Sequence, residues 1–193
     1  VELRFTYSEE SSIVVEGPVN LLPEIITDLD ADGHLVIDDL NSCDFVRKLN
    51  LRIIVTVSGP IEEIINYGLA DVSTSAPFTG SSLFFENYQA SGDIRLELAC
   101  DQLTYKTHTG VSSTTLLGSC AQALLFSNGI GPFHADELAC GSVNLNNGSI
   151  NDVWIQSNGY TYIAINQSGN VYLSGNPGLI ELVSNGTGEL IID

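Results

Sequence analysis

Basic residues are scarce in this sequence, and none follows position 106. Its 193 residues include six Lys and Arg against 24 Asp and Glu, a formal net charge of −18 at pH 7. The six are Arg4, Arg47, Lys48, Arg52, Arg95 and Lys106. Because phosphate binding needs clustered positive charge, this balance argues against nucleic acid, an anionic membrane surface or a polyanionic glycan as a partner. The acidic excess is typical of a chain kept soluble by net negative charge.

Methionine is absent altogether, and so is any apolar run long enough to cross a membrane as a helix. Such a helix needs about 20 consecutive apolar residues, whereas the longest candidates here, such as residues 51–57, have the length of a strand. Because the sequence begins at Val1 without an initiator Met, we expect a mature chain from which a leader has been removed. No long segment has a period of 3.6 residues, so helix should be minor.

The surface that this composition predicts is polar but largely uncharged. Hydrophobic residues make up 44% of the chain and charged residues only 16%, so polarity must come mainly from Ser, Thr, Asn, Gln and Gly. That usage is typical of an extracellular β protein. Short strands are expected at residues 1–7, 12–16, 35–37 and 51–58. Residues 61–67 fit either a helical turn after Pro60 or an edge strand.

The clearest pattern is a repeat over positions 81–140. Aligning the sequence on Cys100, Cys120 and Cys140 gives three consecutive blocks of 20 residues. Apolar pairs recur at equivalent positions in these blocks and continue, without Cys, to the end of the chain. The pairs are Leu83/Phe85, Leu103/Tyr105, Ala123/Leu125, Ile94/Leu96, Thr114/Leu116, Phe133/Ala135 (slipped by one position), Val143/Leu145, Val153/Ile155, Tyr162/Ala164, Val171/Leu173, Ile180/Leu182 and Leu190/Ile192.

This repeat favours a parallel β-solenoid. A block of two or three short strands cannot bury its apolar face alone, but stacked blocks form a continuous core. Gly and Asn in the small polar turns between the pairs supply the backbone angles that corners need. The competing interpretation is an antiparallel sandwich with hairpins at the Asn-Gly turns. A sandwich has no reason to place three Cys at one fixed interval, so the solenoid is preferred.

Several motifs also occur in the order found in a known bacterial family. They are Gly17-Pro18-Val19-Asn20, Gly33-His34-Leu35-Val36-Ile37, residues 53–57, Ser58-Gly59-Pro60-Ile61, Tyr67-Gly68, Ser91-Gly92-Asp93-Ile94, the Ser-Asn-Gly turns, and residues 171–177. The chain thereby resembles, over nearly its whole length, the family called putative auto-transporter adhesin, head GIN domain. It departs from the family pattern in its Cys ladder and its thinner Ser-Gly turns.

The resemblance implies a right-handed parallel β-helix-like fold, export to the cell envelope, frequent lipoprotein status and no established activity. We therefore predict an all-β, right-handed parallel β-helix (β-solenoid) that forms a single domain over residues 1–193. Residues 1–80 should be short, irregular N-terminal coils, and residues 81–193 regular coils of about 20 residues. The predicted protein is secreted or located in the cell envelope, either periplasmic or anchored to the outer membrane.

One acidic loop resembles a calcium site. Asp28, Asp30, Asp32 and Gly33 occupy positions 1, 3, 5 and 6 of an EF-hand-like pattern, with Asp39 at position 12 in place of the bidentate Glu. An EF-hand needs flanking helices, however, whereas the residues after the loop have the pattern of a strand. Turns are rich in Asp and Gly for backbone reasons alone. A plain acidic turn is preferred, and no metal ligand is assigned.

Four cysteines are present, and three of them should form a ladder. Cys100, Cys120 and Cys140 would stack on one face, while Cys43 lies elsewhere. Buried thiols acting as small apolar residues are one interpretation, and one disulfide between adjacent coils is the other. Zinc is disfavoured because no Cys-x-x-Cys pair occurs and a linear ladder cannot surround a metal.

No residue is assigned to catalysis or to a cofactor. The three histidines, His34, His108 and His134, are isolated in sequence and should lie at the surface or in turns. No Gly-x-Ser-x-Gly nucleophile motif occurs. Parallel β-helices can host polysaccharide lyases, but a lyase acting on uronates needs positive charge, which the chain lacks after Lys106.

Carboxylate pairs are the remaining catalytic candidates. A glycoside hydrolase needs two carboxylates about 5–9.5 Å apart, and the chain offers Glu97 with Asp101, Asp136 with Glu137, and Asp152. Solvated turn acids are the preferred interpretation, because a shared fold is weak support for a shared activity. We predict a non-enzymatic surface module, an adhesin or scaffold. The alternative is a protein that binds or cleaves carbohydrate.

An aromatic group in the last coils is the one hint of a binding face. Trp154, Tyr160, Tyr162 and Tyr172 are either core ladder residues or, if exposed together, a platform on which neutral sugars stack. The expected partner is accordingly a surface glycan or a protein.

Overall fold

The computed structural model describes residues 1–41 and 52–192, and over these ranges the chain is almost entirely β-structure. A single 3-10 turn, Leu22–Glu24, is the exception. The strands in chain order are β1 (Glu2–Tyr7), β2 (Ser12–Glu16), β3 (Ile25–Leu29), β4 (Leu35–Asp39), β5 (Ile54–Gly59), β6 (Glu63–Asn66), β7 (Asp71–Thr74), β8 (Ser82–Asn87), β9 (Ile94–Thr107), β10 (Thr114–Ser127), β11 (Phe133–Asn147), β12 (Val153–Ser157), β13 (Tyr160–Ile165), β14 (Val171–Gly175), β15 (Leu179–Ser184) and β16 (Leu190–Ile192).

The strands wind into a parallel β-solenoid of about six turns, which confirms the predicted fold class. The long strand β9 pairs through its first residues with β7 and through its last with β8. It therefore turns a corner and belongs to two sides of the coil. Strands β10 and β11 repeat this path, and later coils split it between two strands, β12 with β13 and β14 with β15.

The strand register confirms the repeat in the sequence. Leu103 pairs with Leu83 on one side and with Ala123 on the other, each 20 positions away. Thr114 pairs with Phe133, which accounts for the slip by one position in the third block. The competing interpretation, a sandwich with antiparallel hairpins at the Asn-Gly turns, is wrong. The strand pairs among the described coils after β5 are parallel.

The core is a set of inward-facing ladders along the solenoid. Alternate residues of each strand point inward, so equivalent positions of successive coils stack. Phe85 and Tyr105 stack at 5.2 Å between ring centroids, and the Tyr105 hydroxyl is hydrogen-bonded to the buried Thr114 hydroxyl at 2.8 Å. Burying a Leu, Ile or Phe side chain contributes roughly 1.5–3 kcal/mol. Each coil therefore stabilises its neighbours.

One predicted inward pair is wrong by a single position. The strand β13 buries Thr161, Ile163 and Ile165, whereas Tyr162 points outward. A polar residue can face inward here because the Thr161 hydroxyl donates a hydrogen bond to the Ser157 hydroxyl at 2.8 Å. Ala164, although on the outward side, is small enough to be covered by its neighbours.

The N-terminal region departs from a simple winding order. Strand β1 lies between β5 and β7 and is parallel to both, and β2 closes this edge as an antiparallel strand against β5. Strands β3 and β4 form a separate hairpin. A small second core of Leu21, Ile53 and Val55 supports this end. A helical turn at residues 61–67 does not form, since β6 occupies that segment.

Within the described residues, no helix is long and apolar enough to span a bilayer. The expectation of a single domain over residues 1–193, divided near position 80, stays a prediction. Leu51, at the start of one predicted strand, lies outside the described residues, as do Arg47 and Lys48.

Gly118 provides a test of how closely the coils approach. Its φ is +102°, and an added Cβ would clash with the carbonyl oxygen of Leu98 in the preceding coil. We expect Gly118→Ala to lower the free energy of unfolding by about 2 kcal/mol or more, because both backbone strain and the clash act on it. Urea denaturation measures the change.

A glycine without these constraints serves as the control. At Gly178 an added Cβ would have no atom within 4 Å, and the backbone has no positive φ. Gly178→Ala should change stability by less than about 0.5 kcal/mol. Equal effects of the two substitutions would contradict the close coil contact at Gly118.

Tyr105 predicts a loss of stability in alkali. Burial raises the pKa of Tyr105 from 10.0 to about 12. Because the folded pKa lies above the unfolded one, the contribution of the protonated phenol is complete below pH 10 and is lost as the pH rises toward 12. Between pH 9 and 11.5 the wild type should lose about 2 kcal/mol more than Tyr105→Phe. Denaturant unfolding at both pH values measures this difference, and parallel pH dependences would contradict it.

Candidate functional site

The solenoid presents two broad outer faces. Face A is the outer side of β7, β12, β14 and β16 together with the first parts of β9, β10 and β11. Face B is the outer side of β6, β8, β13 and β15 together with the last parts of β9, β10 and β11. Because side chains alternate along each strand, the residues between the inward pairs form columns on these faces.

Face B contains a shallow depression of about 380 Å³. One column in it consists of Gln102, Gln122, Ser142 and Tyr160, on successive coils. The adjacent column contains Thr104, Leu124 and Asn144. Successive coils therefore bring side chains from four strands to one open surface.

The side chains of this depression are neutral and largely unengaged. Gln102, Gln122 and Asn144 are exposed amides, and no hydrogen bond joins their side chains to another described residue. Leu124 and Tyr160 are each 43% exposed and supply apolar surface. Partial burial, and after it the neighbouring Glu181 carboxylate, raise the pKa of Tyr160. The surface thus offers amides, hydroxyls and an aromatic ring without a charged lining residue.

An aromatic stack lies where strands β6, β8 and β9 end. Tyr67, Tyr88 and His108 are stacked, with ring centroids 5.2 Å and 4.3 Å apart, and Phe126 lies 5.4 Å beyond His108. The stack is tied to Glu86, whose carboxylate lies 2.8 Å from Nε2 of His108.

The neighbours of Glu86 favour the charged form of its carboxylate. Burial acts to raise the pKa of Glu86, but hydrogen bonding to His108 and the positive charge of Lys106 outweigh it and lower the pKa overall. Lys106 Nζ lies 3.4 Å from the Glu86 carboxylate and 4.6 Å from the centroid of the Phe84 ring. This cluster is internally compensated, so it adds little charge to face B.

Face A carries a second aromatic ladder. His134, Trp154 and Tyr172 stack with centroid distances of 4.5 Å and 5.2 Å. The predicted group of four aromatic residues is therefore divided, since Tyr160 and Tyr162 lie on face B, and none of the four is a core ladder residue. A sugar stacks on an exposed ring face, whereas rings inside a ladder cover the faces of one another. The four residues therefore do not form one sugar platform.

The catalytic carboxylate candidates do not converge on a cleft. Glu97, Asp101, Asp136 and Glu137 are exposed. Asp152 lines a second shallow depression of about 360 Å³ beside Trp154, where its carboxylate accepts a hydrogen bond from the Asn170 backbone N–H. Neither of these two depressions is lined by two carboxylates. The arrangement that a glycoside hydrolase needs is absent from both.

The acidic loop is the turn of the β3–β4 hairpin. Asp28 and Asp39 lie on paired strands, not in a loop between helices. The Asp30 carboxylate accepts hydrogen bonds from the backbone N–H groups of Asp32 and His34, and the bond from His34 is the main reason that the pKa of Asp30 lies below its usual range. Asp30, Asp32 and His34 are close together but exposed. The geometry is that of an ordinary capped turn.

The cysteine ladder has the predicted register. Cys120 pairs directly with Cys100 on one side and with Cys140 on the other. Cys120 and Cys140 are buried, and Cys100 is partly exposed. Burial raises the pKa of Cys100 to about 11. Cys43 lies outside the described residues.

The residues of the depression on face B were not singled out in the sequence. Gln102, Gln122 and Asn144 have no motif of their own. They could have been found from the repeat, because outward positions flank each inward pair such as Leu103/Tyr105. His108 could have been placed beside Tyr88 in the same way, because it follows Tyr88 by one 20-residue period.

Comparisons with known proteins agree on the family and the fold. The family model described as putative auto-transporter adhesin, head GIN domain, matches residues 1–177. A solved structure of a putative adhesin from Bacteroides fragilis is similar, with a TM-score of 0.87 and 22% identity over 100% of this chain and 88% of that chain. No curated protein sequence matches the chain.

Two further solved structures share the fold at lower similarity. A putative lipid binding protein from Parabacteroides distasonis has a TM-score of 0.66 and 15% identity, over 100% of this chain and 88% of that chain. A putative adhesin from Parabacteroides merdae has a TM-score of 0.58 and 17% identity, over 98% and 88%.

The geometry of the hairpin turn predicts that calcium does not change the thermal stability of the protein. Because both hydrogen-bonded amides already engage Asp30, and Asp28 and Asp39 are held in strands, millimolar Ca²⁺ or EDTA should leave the Tm unchanged. Thermal unfolding followed by circular dichroism measures this. A saturable rise of several degrees with Ca²⁺ would instead indicate a site that binds the folded state.

Proposed function

Since the chain belongs to the family of putative auto-transporter adhesins with a head GIN domain, we propose that it is a non-enzymatic binding module that uses face B to contact an uncharged ligand. Family membership points to a cell-surface or envelope protein. Within that range, we propose an exported protein held in the envelope, with a lipid anchor as the form that the family resemblance implies.

The neutral depression on face B is the observation that carries this proposal. Three side-chain amides, Gln102, Gln122 and Asn144, are exposed without partners among the described residues, so they can donate and accept hydrogen bonds by exchanging water and without breaking a bond within the described protein. Tyr160 and Leu124 supply apolar contact beside them. A few polar groups within apolar surface are the usual composition of a site that orients a ligand.

The chemistry of these groups favours a hydroxyl-rich, uncharged ligand such as a neutral glycan. Amides match hydroxyl groups, and the C–H face of a sugar ring packs on Tyr or Leu. A polyanion is disfavoured because the chain has a formal net charge of −18. A protein ligand with an uncharged polar surface is the second class that the same groups accommodate.

A shallow site predicts weak binding by each copy. An open depression buries only part of a ligand, whereas tight small-molecule sites enclose most of it. Many copies on one surface compensate, because linked weak contacts raise overall avidity by roughly 10²–10⁴-fold. Such multivalent contact suits an adhesin, and cleavage of the ligand is not part of the proposal because no carboxylate pair lines the depression.

Glycan-array and matrix-protein screens of the full chain, displayed in many copies on fluorescent beads, test the proposal. For any ligand found, Gln122→Ala should weaken binding by roughly 5–10-fold, the effect of losing one hydrogen bond. Tyr160→Ala should weaken it further by removing apolar contact. Calorimetry or surface plasmon resonance with monomeric protein gives the change in Kd.

A second glutamine serves as the matched control. Gln156 carries the same amide on face A, so Gln156→Ala should leave the Kd unchanged. If both Gln variants lose binding equally, face B is not the binding face. Uniformly negative screens would instead leave a scaffold role for the chain.

A further inference from the structure

The corner between the two sides of the coil is lined by a column of small residues. Cys100, Cys120 and Cys140 are directly paired, and the column continues through Ser157 to Gly175. A corner leaves room for small side chains only, which accounts for residue size but not for the choice of sulfur. Ser and Gly meet the same size requirement in the coils that follow.

The two buried sulfurs are unusually close. Sγ of Cys120 lies 2.9 Å from Sγ of Cys140. Even carbon atoms, which are smaller than sulfur, make their best non-bonded contacts at about 3.5–4.0 Å. Adjacent strands also place paired Cα atoms near the ~4.8 Å strand spacing, within the range that a disulfide spans.

We propose that Cys120 and Cys140 are joined by a disulfide in the native protein, while Cys100 remains a thiol. Among the described cysteines, this is the pair whose sulfur atoms lie within hydrogen-bonding distance of each other. Cys100 stands on the other side of Cys120 and is partly exposed. Of the two interpretations of the cysteine ladder, the proposal selects one disulfide between adjacent coils and leaves Cys100 as a free thiol.

The bridge would lie close to an irregularity in the pairing of the two coils that it joins. The register between β10 and β11 shifts between Thr115 and Leu117, and regular pairing resumes from Leu117 with Glu137 to Cys120 with Cys140. A covalent link at Cys120–Cys140 would fix the register of these two coils just after this shift.

The chemistry is thiol–disulfide exchange with a disulfide of the envelope, such as that of a thiol oxidase. One Cys thiolate attacks a sulfur of the oxidant, and the oxidant's second sulfur leaves as a thiol. The other Cys then attacks the mixed disulfide, releasing the second oxidant thiol. The two Cys lose two protons and two electrons in total, which the oxidant gains. Envelope compartments favour this direction, and because the partners are buried, the bond should form during folding.

Peptide mapping of the full chain tests the proposal. The protein is folded with oxidised and reduced glutathione, quenched in acid, alkylated in denaturant without reduction and digested. We expect a linked Cys120–Cys140 peptide, lighter by two hydrogen atoms than its two reduced components, and an alkylated Cys100. Complete alkylation of Cys120 and Cys140, or a link from either to Cys43 or Cys100, would overturn the proposal.

Three matched variants test the link independently of mapping. Cys100→Ala should retain it, while Cys120→Ala and Cys140→Ala should lose it. Reduction removes the stabilisation that comes from closing a loop of about 20 residues, so the wild type and Cys100→Ala should lose roughly 6–12 °C in Tm on reduction. The other two variants should show no such change. The same response to reduction in all four proteins would contradict the bridge, whatever the outcome of the ligand screens.

Discussion

In-register pairing of each coil with the next is the constraint on which the rest of this structure depends. Pairs such as Leu83 with Leu103 and Leu103 with Ala123 repeat one position of the coil along the solenoid. Along the paired strands, backbone groups find their partners in the neighbouring coil, at about the 4.8 Å spacing of a sheet. A side chain must therefore be compatible with its equivalents above and below, as well as with its own strand.

The same constraint shapes the outer surface. Like charges directly opposite one another on neighbouring strands are destabilising, so a solenoid favours neutral polar columns. Asn146, Asn166 and Asn185 illustrate this, because Asn166 donates to Asn146 and Asn185 to Asn166, each at 2.9 Å. Stacked aromatic rings also avoid placing like charges opposite one another on neighbouring strands, as Trp154 does between His134 and Tyr172. The low share of charged residues and the neutral depression on face B thus have one physical cause.

Much of the fold could be predicted from the sequence because the repeat is visible in it. The 20-residue spacing of Cys100, Cys120 and Cys140 predicted the register of β9, β10 and β11. The positions of the turn glycines were consistent with that register. The position of β1 between β5 and β7 could not be predicted, since it depends on pairing between segments about 50 residues apart. Thr161 was missed because its burial depends on a hydrogen bond to Ser157, which alternation of apolar residues does not reveal.

The candidate site was harder to predict than the fold because its residues carry no motif. Gln102, Gln122 and Asn144 are ordinary surface residues taken singly, and only the stacking of three coils makes them one surface. Trp154 and Tyr160 looked like one aromatic group because they are near in sequence, yet the corner after β12 sends them to different faces. In a solenoid, neighbours on the surface are residues about one coil apart. A binding face is therefore best sought in the sequence by folding it at the repeat length and examining the outward columns.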